Sequence, residues 1–269
     1  MQREAFEQLA AAHKSYEAAT EQKLMPGLPV VARLDGRAFS NFTSGLERPF
    51  DTVFSKCMED TAAFLVERMQ AAVAYRQSDE ITLVWPNQAP DQAVMFDGRV
   101  LKLATTLSSM ASVKFNHLLM ERLPSHAAKM PTFDARVFQY PTLELAAENL
   151  LWRETDAMRN SIANLAYVRF GHSAIHGVGI GEKLRRLREA GCAWENMPEV
   201  YRRGVYLRRE RVLRPLSEEV LARIPKAHRP TGPVERSEVV AFSLPLLADL
   251  ANPVEALFFG KAPLRKQAA

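Results

Sequence analysis

An α+β fold, with a β-α-β-β-α-β core, flanking helices and a small C-terminal lobe, is what this 269-residue sequence predicts. Three observations carry the prediction. Long apolar patterns near a 3.6-residue period alternate with short strand-like runs, two of those runs meet through an acidic turn, and 47% hydrophobic with 25% charged residues is ordinary for a folded globular chain. The length suits one core with an appended lobe.

The elements follow in order. Phe6, Leu9, Ala10, Ala12 and Tyr16 space a first helix that Met25-Pro26-Gly27 ends. Pro29 to Leu34 is short, valine-rich and stopped by Asp35-Gly36, as a buried strand running into a loop should be. Val53, Phe54, Cys57, Met58, Phe64, Leu65 and Met69 define an amphipathic helix over 51–70. Ala72 to Tyr75 and Ile81 to Trp85 form a hairpin whose tip carries Gln77-Ser78-Asp79-Glu80. Leu101 to Leu119 reads as a helix and Ala135 to Tyr140 as a strand. Thr142 to Phe170 is a long helix with Thr142 as N-cap. This order is that of the ferredoxin-like split βαβ arrangement, in which the first and third strands are neighbours. It therefore brings Asp35 beside the hairpin tip and Asp79. Beyond Pro215 the prolines at 225, 230 and 233 precede strand-like runs at Glu238 to Leu244 and Val254 to Phe259.

Charge is uneven although the formal net is only +4. Lys183, Arg185, Arg186, Arg188, Arg202, Arg203, Arg208, Arg209, Arg211 and Arg214 are interleaved with Trp194, Tyr201 and Tyr206, a mixture that suits phosphates and exposed bases. The same segment holds Glu182, Glu189, Glu195 and Glu210, so a solvated face of ion pairs is the alternative. Cys57 and Cys192 are far apart and form no metal or redox motif. No apolar leader opens the chain and no run nears the ~20 apolar residues that span a bilayer, so a cytoplasmic protein without a membrane partner is expected.

Asp35 and Asp79 are the candidate metal ligands. Nucleotidyl transfer requires charge neutralisation on phosphate, which two divalent ions ~3.5 to 4 Å apart between two carboxylates supply. Magnesium needs few protein ligands beyond them, the Gly36 carbonyl and substrate phosphates being sufficient. Arg37 and the amides of Gly36, Ala38, Phe39 and Ser40 are placed to line a triphosphate, with Gly36 allowing close backbone approach. Ser78 and Ser40 either line the nucleotide pocket or bond the turn backbone. The glycine-rich Gly177 to Lys183 run lacks P-loop spacing, and His172 with His176 lacks a third metal ligand.

Arg33-Leu34-Asp35-Gly36-Arg37-Ala38-Phe39, Arg48-Pro49-Phe50-Asp51, Ala74 to Glu80, Phe133-Asp134-Ala135-Arg136-Val137 and Trp152-Arg153-Glu154-Thr155-Asp156 occur in that order. Over roughly 28–210 this pattern resembles the tRNA-His guanylyltransferase family. The resemblance implies a polymerase-palm-like core that extends RNA in the 3′-to-5′ direction. A 5′-monophosphorylated end is activated with ATP or GTP, then attacked by the 3′-hydroxyl of an incoming nucleoside triphosphate. It implies Asp35, Gly36 (through its carbonyl) and Asp79 as ligands of two Mg2+ ions, with Glu80 sharing the catalytic acidic tip. Arg48, Lys102, Arg136, Asn164 and Lys183 fall at nucleotide- or 5′-end-binding positions. Arg153, Arg202, Arg203, Arg208 and Arg209 are expected to bind RNA. The expected organisation is a catalytic core with the N-terminal helix over 1–140, a basic helical extension over 141–214 and an accessory lobe over 215–269. Tetrameric assembly and tRNA as partner follow from the same resemblance.

Two departures refine it. Met158 stands where eukaryotic members have the histidine of a His-Ile-Asn-Asn-Leu-Tyr-Asn segment, which favours the bacterial and archaeal guanylyltransferase-like branch and template-dependent 5′-end repair. Arg48 replaces the usual lysine, keeping charge but changing geometry. A nucleotide cyclase or dinucleotide synthase on the same palm, and a catalytically silent RNA-binding protein, are the alternatives. The basic aromatic segment and Trp152-Arg153 weigh against the first; retention of Asp35 and Asp79 weighs against the second.

Overall fold

The computed structural model describes residues 3–87 and 94–267. In chain order it comprises α1 (Arg3–Ala18), β1 (Val30–Gly36), the short α2 (Phe39–Phe42), α3 (Thr52–Met69), β2 (Val73–Gln77), β3 (Glu80–Trp85), α4 (Val100–Arg122), the short α5 (Pro124–Ala127), β4 (Phe133–Gln139) and α6 (Leu143–Phe170). The short α7 (His172–Ile175), α8 (Ile180–Glu189), α9 (Glu199–Arg203), β5 (Val205–Arg214), α10 (Glu218–Arg223), β6 (Val234–Phe242) and α11 (Pro253–Phe258) follow. Thr142 caps α6 as expected, its hydroxyl oxygen accepting from the Leu145 amide at 3.3 Å.

The strands form one sheet in the order β4-β1-β3-β2-β5-β6, and each recorded strand pairing is antiparallel. The first four reproduce the ferredoxin-like order. Alternation in β1 separates two cores: Ala32 and Leu34 pack with Cys57, Leu65, Leu107 and Phe115 of α3 and α4, whereas Val31 joins Leu143, Ala147 and Leu150 of α6 on the other face. A third cluster ties the distal half of α6 to α8 through Ile162, Leu165, Ala166, Leu187 and Trp194.

Two elements differ from expectation. Val205–Arg214, within the segment expected to be a helical and basic RNA-binding extension, is strand β5, hydrogen-bonded to β2 and, along its length, to β6. The expected boundary at 214 thus falls between two strands of one sheet. Val254 to Phe259, strand-like in sequence, lies mostly in helix α11: Pro253 opens it and Ala256, Leu257 and Phe258 are buried. A short apolar run does not by itself distinguish strand from helix. Entry into β5 depends on Gly204 at φ +75°, where a Cβ would lie 2.6 Å from the Arg76 carbonyl oxygen.

Candidate active site

The site forms where β1 ends and the β2–β3 hairpin turns. Asp35 is paired in register with Glu80 on one side and Asp134 on the other. Gly36 N–H donates to the Asp79 carbonyl at 3.2 Å, fixing the hairpin tip against the strand end, while Arg37 N–H donates to Thr132 O at 2.9 Å. These two amides are therefore occupied, and those of Ala38, Phe39 and Ser40 are left at the start of α2. Ser78 turns the hairpin at φ +46°.

Gly36 has a reason beyond the one read from sequence. A Cβ there would penetrate the Phe39 ring. Phe39 is buried in an aromatic cluster, with ring centroids 5.0 Å from Phe42, 5.1 Å from Phe133 and 5.6 Å from Phe115. The side chain therefore anchors the loop, and its amide, the group expected to line a triphosphate, sits at the start of α2.

Electrostatics single out the two aspartates. Partial burial, then the neighbouring Asp35 carboxylate, pushes Asp79 up to about 6. Asp35 is also raised, by desolvation and then by Asp134, while Arg33, Arg136 and Arg153 pull it back. Neither aspartate makes an ion pair within 4.0 Å among the described residues. Like carboxylates held together in a partly dry site favour a proton or a cation between them. Among the described residues no group of three or more His, Cys, Asp or Glu is arranged to hold a metal ion, so the fold offers two carboxylates and carbonyl oxygens rather than a closed cage. Such a hard, incomplete oxygen set fits Mg2+ completed by substrate phosphates and does not fit structural zinc.

Glu80 differs from its neighbours. Both of its carboxylate oxygens accept from Arg153, Oε1 from Nε at 2.7 Å and Oε2 from Nη2 at 2.6 Å, and both residues are buried. Glu80, expected to share the catalytic tip, and Arg153, expected to bind RNA, spend their charges on each other: the bidentate pair ties α6 to the hairpin next to Asp79. Arg153 also bonds Asp156 at 3.2 Å and lies 4.6 Å from the Trp152 ring centroid.

A cleft leads away from Asp79. Ser78, Pro49, Asp51, Phe54 and Asn164 line both a cavity of about 510 Å³, which Ser40 and Arg48 also line, and a smaller one of about 120 Å³ reaching Ser55, Arg76 and Tyr201. The structure thus gathers Ser40, Arg48, Ser78 and Asn164 beside Asp79. Arg136 lies opposite Arg33, two rungs from Asp35 and Asp134 and so on the same sheet face. Arg33 and Asp134 had not been singled out; their signal is the in-register pairing of one cationic and one acidic rung, which only the β1–β4 alignment exposes. Lys183, on α8, is half-buried.

Lys102, expected at a nucleotide- or 5′-end-binding position, lies near the opposite ends of the strands from Asp35. It precedes Leu103, which lines a separate pocket with Val30 and Trp85 at the far strand ends, and its Nζ lies 5.2 Å from the Phe96 ring centroid. The remaining arginines expected to bind RNA are committed internally. Arg203 bonds Glu154 and Glu199, Arg208 bonds Glu210 and the Ala256 carbonyl, and Arg209 bonds Ser237 and the Glu67 carbonyl. Arg202 donates to Met197 O at 2.9 Å and packs over Trp194. These arginines have protein partners in the fold, the arrangement that the ion-paired alternative describes.

A family model described as tRNAHis guanylyltransferase matches residues 10–141. The uncharacterized protein R259 of Acanthamoeba polyphaga mimivirus is 30% identical over 220 residues, 73% of this chain and 75% of that protein. This chain belongs to the tRNA-His guanylyltransferase family. A probable tRNA(His) guanylyltransferase of Drosophila melanogaster is 28% identical, covering 74% of this chain and 73% of its own length. A bacterial tRNA(His) guanylyltransferase (Thg1)-like protein in complex with ATP superposes with TM-score 0.78 at 26% identity, over 93% of this chain and 98% of that one. A second, in complex with GTP, shares the fold at TM-score 0.69 and 24% identity, over 90% and 94% of the two chains. As a guanylyltransferase-family member with this palm-like fold, the protein is a nucleotidyltransferase. No described helix is long and apolar enough to cross a membrane.

Proposed function

We propose that this protein adds nucleotides to the 5′ end of tRNA in the 3′-to-5′ direction, with Mg2+, and that its activity is template-dependent repair of truncated 5′ ends. The observation that carries the reading is the pair Asp35 and Asp79, held side by side by β1 and the hairpin with no ion-pair partner for either among the described residues, next to Ser78, which lines a nucleotide-sized cleft.

Asp35, Asp79 and the Gly36 carbonyl would hold two Mg2+ ions. When bound, these neutralise the reacting phosphates and make the attacking hydroxyl more acidic. The chain's own groups do the positioning. Ser40, Arg48, Ser78 and Asn164 hold the nucleoside triphosphate along the cleft, Arg33 and Arg136 attract phosphate oxygens beside Asp35, and the Glu80–Arg153 pair keeps the tip in register. In the first step an oxygen of the RNA 5′-phosphate attacks the α-phosphorus of ATP or GTP, and pyrophosphate leaves. In the second, the 3′-oxygen of an incoming triphosphate attacks the activated 5′-phosphorus, its proton is lost, and the nucleoside monophosphate leaves.

Met158 supports repair over obligatory guanylate addition to tRNA-His, because an apolar side chain packed against the α6–α8 cluster replaces a hydrogen-bonding histidine. A tetramer is consistent with α1, which buries no residue of its own and exposes Phe6, Leu9 and Tyr16. The test is incubation with Mg2+, four nucleoside triphosphates and a 5′-monophosphorylated tRNA lacking its first nucleotide. Addition of the nucleotide complementary to the opposite strand supports the proposal. Absence of extension, with cyclic or linked nucleotides formed instead, would overturn it.

A further inference from the structure

Beyond Gly36 the chain leaves the sheet, and the loop 37–48 forms one wall of the larger cavity. Ser40, Thr43, Leu46, Glu47 and Arg48 line that cavity, while Phe39 and Phe42 are buried in the core. A loop presents such a wall reproducibly only when its main chain is held from behind. Part of the holding is internal: the Asn41 amide donates to Ala38 O, the Thr43 amide and hydroxyl to Phe39 O, and the Leu46 amide to Thr43 O.

The rest comes from the segment 126–132 that leads into β4. At one end of the loop, Arg37 N–H donates to Thr132 O at 2.9 Å. Further along, Lys129 Nζ donates to Phe42 O at 2.8 Å, to Ser44 O at 3.0 Å and to Asn41 O at 3.4 Å, and it lies 5.9 Å from the Phe42 ring centroid. His126 Nε2 lies 3.2 Å from Ser44 O, and its ring meets the Phe42 ring edge-on at 5.8 Å. A lysine ammonium has three N–H groups, and the carbonyls that meet them here all belong to one loop. The last carbonyls of a helix as short as α2 lack intrahelical partners, and a cation suits that end of its dipole. The segment is itself anchored on α4, where Asn116 donates to Pro131 O at 2.7 Å and Phe133 N–H donates to the Ser112 hydroxyl oxygen at 3.0 Å. Lys129 thus ties the cleft wall to a helix fixed in the core. Because Lys129 itself is exposed, water can take up the three carbonyls when the lysine is removed, so the shape of the loop is lost before the fold is.

We propose that Lys129, seconded by His126, is a positioning residue for the nucleoside triphosphate: by gathering the carbonyls of Asn41, Phe42 and Ser44 it holds Ser40, Thr43 and Arg48 in the arrangement that receives the substrate. Lys129 touches no reacting atom and acts through the loop. This role rests on the nucleotide reading of the cleft and deepens it by naming the residue that shapes its wall.

The test is steady-state 5′-end extension with the incoming nucleoside triphosphate varied, together with calorimetric binding of GTP in the presence of Mg2+, for the full native chain, Lys129→Met and Lys129→Arg. Methionine keeps most of the stem and removes the donors, whereas arginine restores them. Lys129→Met should raise KM for the triphosphate and weaken GTP binding about tenfold, the scale of one hydrogen bond to a charged group, with kcat within about threefold of native. Lys129→Arg should recover most of both losses. Unchanged KM and unchanged GTP binding in folded Lys129→Met overturn the proposal, even if its melting temperature falls, because the lysine would then serve stability alone. A fall in kcat at constant KM overturns it as well. If Lys129→Met does not fold, His126→Phe decides, since it keeps the ring on Phe42 and loses the contact to Ser44: KM raised about threefold upholds the proposal and an unchanged KM overturns it. A native protein that binds no nucleotide would instead overturn the nucleotide reading on which the proposal stands.

Discussion

The hairpin tip and the basic stretch from Lys183 to Arg214 are both dense in charge, and they use it in opposite ways. At the tip, desolvation raises both Asp35 and Asp79, with the Asp134 carboxylate adding to it at Asp35 and the Asp35 carboxylate at Asp79, and among the described residues neither has an ion-pair partner within 4.0 Å. Along the basic stretch the arginines are taken: Arg185 and Arg186 by Glu182, Arg188 by Glu195, Arg203 by Glu154 and Glu199, Arg208 by Glu210, and Arg214 by Glu238. Charge left unpaired at an energetic cost marks chemistry, while charge paired locally marks construction. Counting residues favours the second region; following their partners favours the first.

That contrast is broken or sharpened by substitution. The largest effect is expected from Asp79→Asn, which removes several kcal/mol of phosphate charge stabilisation and so about 10³-fold or more of nucleotidyl transfer, measured by single-turnover 5′-end extension. Folding should be unharmed, because a like-charge contact disappears with the carboxylate. Arg153→Ala should lower stability by about 3–5 kcal/mol in denaturant unfolding, since Glu80 is then buried without its partner. A surface RNA contact would instead lose tRNA affinity with little loss of stability.

Asp79 also gives a pH signature. Its carboxyl holds a proton more tightly in the fold, at about 6 against 3.8 ordinarily, so its contribution favours folding most below 3.8. That contribution is lost as pH rises through about 6, on the order of 3 kcal/mol in the metal-free protein. Mg2+ binds the deprotonated form, so the increase in Tm on adding Mg2+ should grow between pH 5 and pH 7 and vanish in Asp79→Asn. Gly36→Ala should cost about 1–3 kcal/mol through overpacking against Phe39, measured by thermal unfolding, and should reduce activity by moving the strand end. At the small end, Arg185→Ala should leave the denaturant midpoint almost unchanged, because its exposed pairs are screened by solvent.

The split βαβ order was legible because the β1, β2 and β3 segments are short and apolar, and the intervening helices are long enough to show their period. The meeting of Asp35 and Asp79 followed from that order alone. Strand β5 was not legible: after Val205 and Leu207 its alternation is submerged in arginines, and it is a strand because β2 and β6 supply partners. The Glu80–Arg153 pair was not legible either, because it spans 73 residues and depends on where α6 lies across the sheet. Phe39 sat in the right motif, but only packing shows that its ring faces the core. Lys102 lies in the first turn of α4, a placement that only the packing of α4 on the sheet reveals.

The most direct test of the central claim is Mn2+ binding, as a spectroscopic stand-in for Mg2+, followed by electron paramagnetic resonance with and without GTP in the native protein, Asp35→Asn and Asp79→Asn. Nucleotide-dependent binding in the native protein that is lost in each single variant, with both variants folded, is the expected result. Undiminished Mn2+ binding in both folded variants would contradict the assignment of Asp35 and Asp79 as the metal-holding pair.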